Sequence, residues 1–173
     1  MQLAYTMAPG RGDTDLILAG LAADLIARGL RLCGTVQINT ERSTDGPCDM
    51  DVRVLPDGPV LRISQDLGPQ ARGCRLDPAA LETAVDLVEA RLDQGVDLLI
   101  INKFGKHEAE GRGFRNAIAQ AMGLGIPVLV GLNGLNRLAF EEFTGGLAIA
   151  VSPEPAALAQ WAEAAVHRVG APV

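Results

Sequence analysis

The chain lacks most of the features that assign a protein to a specialised class. No apolar run among its 173 residues approaches the length of a membrane span, so no membrane insertion is expected. No basic segment followed by a long apolar one opens it, so no signal peptide is expected, and the expected compartment is cytoplasmic. Positive charge is not in excess: the net charge is −6, which argues against a general nucleic-acid surface. Cys33, Cys48 and Cys74 are an odd count without C-x-x-C spacing, a poor basis for a disulfide framework or a structural zinc site. Cys33 is expected in the core, whereas Cys48 and Cys74 lie near turns. There is no internal repeat and no low-complexity segment. What remains is a chain of a length suited to one domain over residues 1–173, with enough sequence to bury a core.

The first thirty residues organise the rest. Gln2 to Met7 reads as a short buried strand, and Ala8-Pro9-Gly10-Arg11-Gly12-Asp13-Thr14 as a glycine-punctuated turn. From Asp15 to Arg28, apolar residues recur at helical spacing. Strand, glycine-rich loop and helix in that order is the geometry that binds phosphate in P-loop proteins. The P-loop pattern G-x-x-x-x-G-K-[ST] is only partly kept: Gly12 and Thr14 remain, Met7 replaces the first glycine and Asp13 the lysine. A carboxylate in place of that cation repels a phosphate. A tight turn with Asp13 or Thr14 capping a helix accounts for the same residues.

Further along, Leu32 to Ile38 reads as a strand ending in the polar cluster Asn39-Thr40-Glu41-Arg42. Alternation around Met50, Val52 and Val54, a Pro-Asp-Gly-Pro turn, and Val60, Leu61 and Ile63 suggest a β-hairpin. Asp77-Pro78 starts a helix. Val96 to Ile101 reads as a central parallel strand, with Asn102-Lys103-Phe104-Gly105-Lys106 at its end. A helix over Gly113 to Met122, a strand over Ile126 to Val130, a short helix after Asn133, a strand over Leu147 to Val151 and a helix over Pro155 to Val169 complete the chain. Alternating strands and helices predict an α/β fold, a three-layer sandwich with a mostly parallel sheet and a β-hairpin insertion.

In such a sheet, ligands bind beyond the carboxyl ends of the strands. That rule gathers residues 7–14, 39–42, 102–106 and Asn133 around one crevice. Arg72 and Arg75 share one loop, and Lys103, Lys106, Arg112 and Arg115 crowd another. Local positive clefts on an acidic protein suit small anions, although a solvated face with scattered ion pairs has the same appearance.

Gly34, the hairpin through Gly58, Arg72-Gly73-Cys74-Arg75-Leu76-Asp77, Leu98 to Gly105, Glu108 and Phe114-Arg115 follow one another in an order that resembles the small P-loop nucleoside-triphosphatases of bacteria, archaea and animals. The chain is also similar to a related bacterial family of unassigned function associated with molybdate uptake loci. The resemblance implies a P-loop-NTPase-like fold. It also implies that the aspartate of the enzymes' D-E-x-G segment, which helps hold magnesium, corresponds to Asn102, and its glutamate, the expected base, to Lys103. With Asp13 in place of lysine, the charges of the site are inverted. Asp13 and Lys103 are accordingly expected to form an ion pair, while independent drift at a disused site gives the same residues.

Loss of both signatures argues against ordinary ATP hydrolysis, which needs positioned cations and a metal around the phosphates. The expected function is binding of an oxyanion of the molybdate or tungstate type, or of a nucleotide without turnover, in molybdenum uptake or homeostasis. The expected ligand residues are Gly10, Arg11, Gly12, Asp13, Thr14, Asn39, Thr40, Arg72, Asn102, Lys103 and Lys106. One alternative is an active nucleoside-triphosphatase using a nucleotide with Mg²⁺, with Glu108 or Glu41 as its carboxylate and His107 as a proton carrier. Another is a protein-interaction module, with Phe104 as an exposed contact. A protein partner or a homo-oligomer is compatible with each.

Overall fold

The computed structural model describes residues 2–40, 49–65 and 75–169. Seven strands form one sheet in the order β4-β3-β2-β5-β6-β1-β7. The strands are β1 (Leu3–Thr6), β2 (Leu32–Thr40), β3 (Asp49–Val54), β4 (Val60–Arg62), β5 (Leu98–Phe104), β6 (Val128–Leu132) and β7 (Ile149–Ala150). β2, β5, β6, β1 and β7 run parallel, and β3 and β4 add an antiparallel hairpin beside β2. The α/β architecture and the hairpin are those expected.

Six α-helices cover the sheet: α1 (Asp13–Ala27), α2 (Pro78–Glu89), α3 (Lys106–Ala109), α4 (Arg115–Gly123), α5 (Arg137–Thr144) and α6 (Pro155–Val169). The two-residue period of the strands divides the core. Leu98 and Ile100 of β5 pack with Leu18, Leu21 and Leu25 of α1 and Leu158 of α6. Leu99 and Ile101 face the other way, with Leu81 and Val88 of α2, Ile118 of α4 and Phe140 of α5. Residues Leu98 to Asn102 are all buried, as a central parallel strand requires. No helix among the described residues is long and apolar enough to cross a membrane.

Local chemistry explains the element ends. The Asp77 carboxylate accepts hydrogen bonds from the N–H groups of Ala79 (3.0 Å) and Ala80 (3.2 Å), and Pro78 opens α2 without needing a donor of its own. Several boundaries differ from the expected ones. β5 runs through Asn102 to Phe104, so residues assigned to a loop lie in the strand. The four-residue α3 follows at once. β2 likewise extends past Ile38 to Thr40, because the neighbouring β3 continues to pair with Ile38, Asn39 and Thr40. Phe104 is fully buried, with its ring 5.1 Å from that of Phe140, so it is a core residue and not an exposed contact. Cys33 is buried as expected, whereas Cys48 and Cys74 lie outside the described residues.

One glycine sets the spacing at the centre of the sheet. Gly34 of β2 has φ +112°, and a Cβ built there would lie 1.8 Å from the carbonyl oxygen of Ile100 on β5. Gly34→Ala is therefore expected to cost at least ~2 kcal/mol, combining backbone strain with overpacking against a rigid strand. The readout is a lower denaturation midpoint at unchanged slope; an unchanged midpoint would mean that the two strands do not approach this closely.

Candidate functional site

The loop between β1 and α1 is tied down by its own residues. The Ala8 N–H donates to the Thr14 hydroxyl at 3.0 Å. Gly12, at φ +84°, occupies the N-cap of α1, and its carbonyl accepts from the N–H groups of Asp15 and Leu16. This replaces the expected capping by Asp13 or Thr14: the cap makes no side-chain hydrogen bond. Asp13 and Asp15 both lie in the first turn, where the positive end of the helix dipole favours them. Asp13 is exposed and folds back on the loop, since a Cβ on Gly10 would sit 1.9 Å from its Oδ2. Gly10 and Gly12 thus serve different ends, one leaving room for a carboxylate and the other reversing the backbone. Arg11, between them, is exposed.

Asn39 comes to this loop from the end of β2. A Cβ on Gly12 would lie 3.7 Å from its Nδ2. The Asn39 amide donates to Asp15 Oδ2 at 2.7 Å and accepts from Gln37 Nε2 at 2.8 Å. Asp15, only 3 % exposed, was not singled out in the sequence. Its local signal is weak, because an acidic residue in a first helical turn is ordinary; its role shows only once β2 reaches α1. Thr40, Arg72 and Glu41, also expected near a ligand, cannot be placed here: Arg72 and Glu41 lie outside the described residues, as does the Thr40 side chain.

Thr6, Gly131 and Asn102 stand side by side on β1, β6 and β5, at the strand ends expected to bear a ligand. A Cβ on Gly131 would meet Leu18 Cδ1 at 2.7 Å, Asn102 Oδ1 at 2.9 Å and Thr14 Cγ2 at 3.3 Å, so Asn102 lies beneath the first turn of α1. Asn102 is 1 % exposed, and neither its Oδ1 nor its Nδ2 has a hydrogen-bond partner. The Thr6 hydroxyl is also buried without a partner. Buried polar atoms normally find one, and leaving them unmatched costs on the order of 1–3 kcal/mol each.

The ion pair expected between Asp13 and Lys103 does not form. Lys103 is half-buried and, among the described residues, joins no carboxylate. Other cations of this region are occupied. Lys106 pairs with Glu110 at 3.6 Å, one turn along, and Arg112 reaches the same carboxylate at 2.6 Å. Arg112 beside it, and then Lys106, hold the Glu110 carboxyl below its usual range. Arg115 lies 4.3 Å above the Phe143 ring and donates to the Glu108 carbonyl. The apparent cationic cluster is therefore largely internally matched.

Glu108 is turned inward. Only 2 % exposed, its carboxylate accepts from the N–H groups of Gly105 (2.9 Å) and Phe114 (3.3 Å) and so closes the turn around α3. Burial pushes its carboxyl up despite these donors. His107 is not a solvated loop residue: it is buried, with Nε2 2.7 Å from Glu82 Oε1, which also accepts from the Gly113 N–H. These two form a wall of a cleft of ≈ 610 Å³ between α2 and the α3–α4 connection, which Asp86 and Glu89 also line. None of the described residues expected to bind a ligand lines it, and its carboxylates suit an anion poorly. Burial, then the neighbouring Asp86 and Glu82 charges, raise the Glu89 carboxyl.

Comparison with known proteins agrees with this fold. The solution structure of a human cancer-related nucleoside triphosphatase superposes with a TM-score of 0.59 at 19 % identity, over 98 % of this chain and 96 % of that one. The molybdenum import ATP-binding protein ModC 2 of Bradyrhizobium diazoefficiens is 38 % identical over 149 residues, which are 86 % of this chain but 17 % of that protein. The chain thus spans about a sixth of that relative. A family profile covers residues 3–161, and the chain belongs to the family described as "Protein of unknown function (DUF2478)".

Proposed function

We propose that the chain binds an oxyanion of the molybdate or tungstate type, or a nucleotide that it does not hydrolyse, at the loop between β1 and α1, and that it serves molybdenum uptake or homeostasis. The observation that carries this reading is the backbone of that loop: Gly12 turns it at φ +84° into the N-terminus of the fifteen-residue α1, while Lys103, near the end of β5, is half-buried and joins no carboxylate among the described residues. Backbone N–H groups at a helix N-terminus accept an anion without a full positive charge nearby. The likeness to a molybdenum import protein supports the choice of anion.

A surviving hydrolase is the weaker reading. Both oxygens of Glu108 are committed to backbone donors, which leaves the carboxylate facing the turn and not a ligand. Glu108→Gln is expected to lower stability by ~1–3 kcal/mol, since the new amide places a donor against a backbone N–H. No magnesium-dependent ATP turnover is expected in either form. Robust turnover abolished by this substitution would restore the hydrolase.

Calorimetric titration with molybdate, with sulfate and MgATP as comparators, tests the binding reading. Lys103→Met is expected to weaken binding of the preferred anion about tenfold or more, the loss of one charge-assisted hydrogen bond. Equal affinity in the two forms would remove Lys103 from the site. No binding of any anion by the parent protein would remove the proposal.

A further inference from the structure

Resting on the same anion site, we infer that this chain binds its ligand without a divalent metal, and that Asn102 sets this property. The P-loop-NTPase-like fold implies a magnesium ion between the helix hydroxyl and a carboxylate at the end of the adjacent strand. The residues here do not fit it. Mg²⁺ gives up its water reluctantly and is held by carboxylates together with phosphate oxygens. The strand-end residue is a neutral amide whose nitrogen carries only donors. The Thr14 hydroxyl accepts the Ala8 N–H at 3.0 Å, which uses one of its lone pairs inside the loop. Of the two carboxylates in the first turn of α1, Asp15 has Oδ2 taken by Asn39. Asp13 turns onto Gly10. No group of three or more His, Cys, Asp or Glu side chains suited to a metal occurs among the described residues.

The same amide supplies what the ion would have supplied. Both polar atoms of Asn102 are buried and unpartnered beneath the first turn of α1, so the group is free to present either edge. Two N–H donors in a dry site are worth more than the same donors in water. Turned toward the helix N-terminus, they hydrogen-bond an oxyanion directly. Gly131 leaves the room for this, since any side chain there would displace Asn102. The ligand class is thus a bare oxyanion or a metal-free phosphate, in preference to a magnesium chelate.

Two measurements on the full chain test the inference. Manganese binding, followed by electron paramagnetic resonance with and without ATP, is expected to be absent at millimolar metal in the parent protein. It is expected to tighten at least ~10-fold in Asn102→Asp, which restores a carboxylate ligand. In parallel, molybdate and orthophosphate affinities in EDTA and in millimolar magnesium are expected to agree within about twofold in the parent protein. Manganese binding by the parent protein with an affinity equal to that of Asn102→Asp would overturn the inference, as would an anion affinity that collapses in EDTA. Because the manganese comparison of the parent protein with Asn102→Asp can be made without an anion, failure of anion binding alone would refute the proposed function and leave the metal question answered.

Discussion

How closely the chain can approach β5 from either side decides what happens at the strand ends. On one side Gly34 lets β2 lie against the Ile100 carbonyl, and on the other Gly131 leaves space for Asn102, Leu18 and Thr14. Both contacts are close enough that a methyl group would have to displace its neighbour, and a packed interior transmits such displacements instead of absorbing them. The first holds the paired stretch Leu32–Thr35 of β2 close against Leu98–Ile101 of β5. The second lets α1 settle on the sheet with its N-terminus directly over Asn102. The glycine loop, the Asn39–Asp15 link and the unpartnered amide are in register because of these two absent side chains.

Charge is distributed differently from what a list of residues suggests. Residues 103–115 carry four cations, but Glu110 takes two and an aromatic ring takes a third. Lys103 is left without a carboxylate among the described residues. Exposed pairs such as Lys106 with Glu110 contribute little to stability. Their effect is to offset positive charge locally.

The sheet was legible because its information is local. The apolar run Val96 to Ile101, a proline after Asp77, and an alternating hairpin each predict their element without reference to the rest. The site was legible only as a set of strand ends. The position of Gly12 follows from the motif, and Asn39 and Asn102 are indeed brought to the loop it opens. The pairing of side chains is not local and was misread: Asp13 turns to Gly10 and not to Lys103, Glu108 caps its own turn, and His107 finds Glu82 on another helix. Asp15 was passed over for the same reason, since its partner lies twenty-four residues away on β2.

Backbone and side chains therefore carry separable parts of the site. The loop's N–H groups are placed by the strand, the glycines and the helix, and the likeness at 19 % identity is one of fold alone. The catalytic part of a phosphate site resides in side chains, a lysine, a carboxylate and a metal, each of which contributes only in company with the others. Changing one to its opposite charge would leave an unbalanced site. Here Asp13, Asn102 and Lys103 stand at the positions that the family resemblance aligns with that lysine and with the enzymes' acidic pair, and Asn102 is an amide, which bears no charge and offers donors and an acceptor at once. Buried and without a hydrogen-bond partner among the described residues, Asn102 costs far less there than an unpaired carboxylate would.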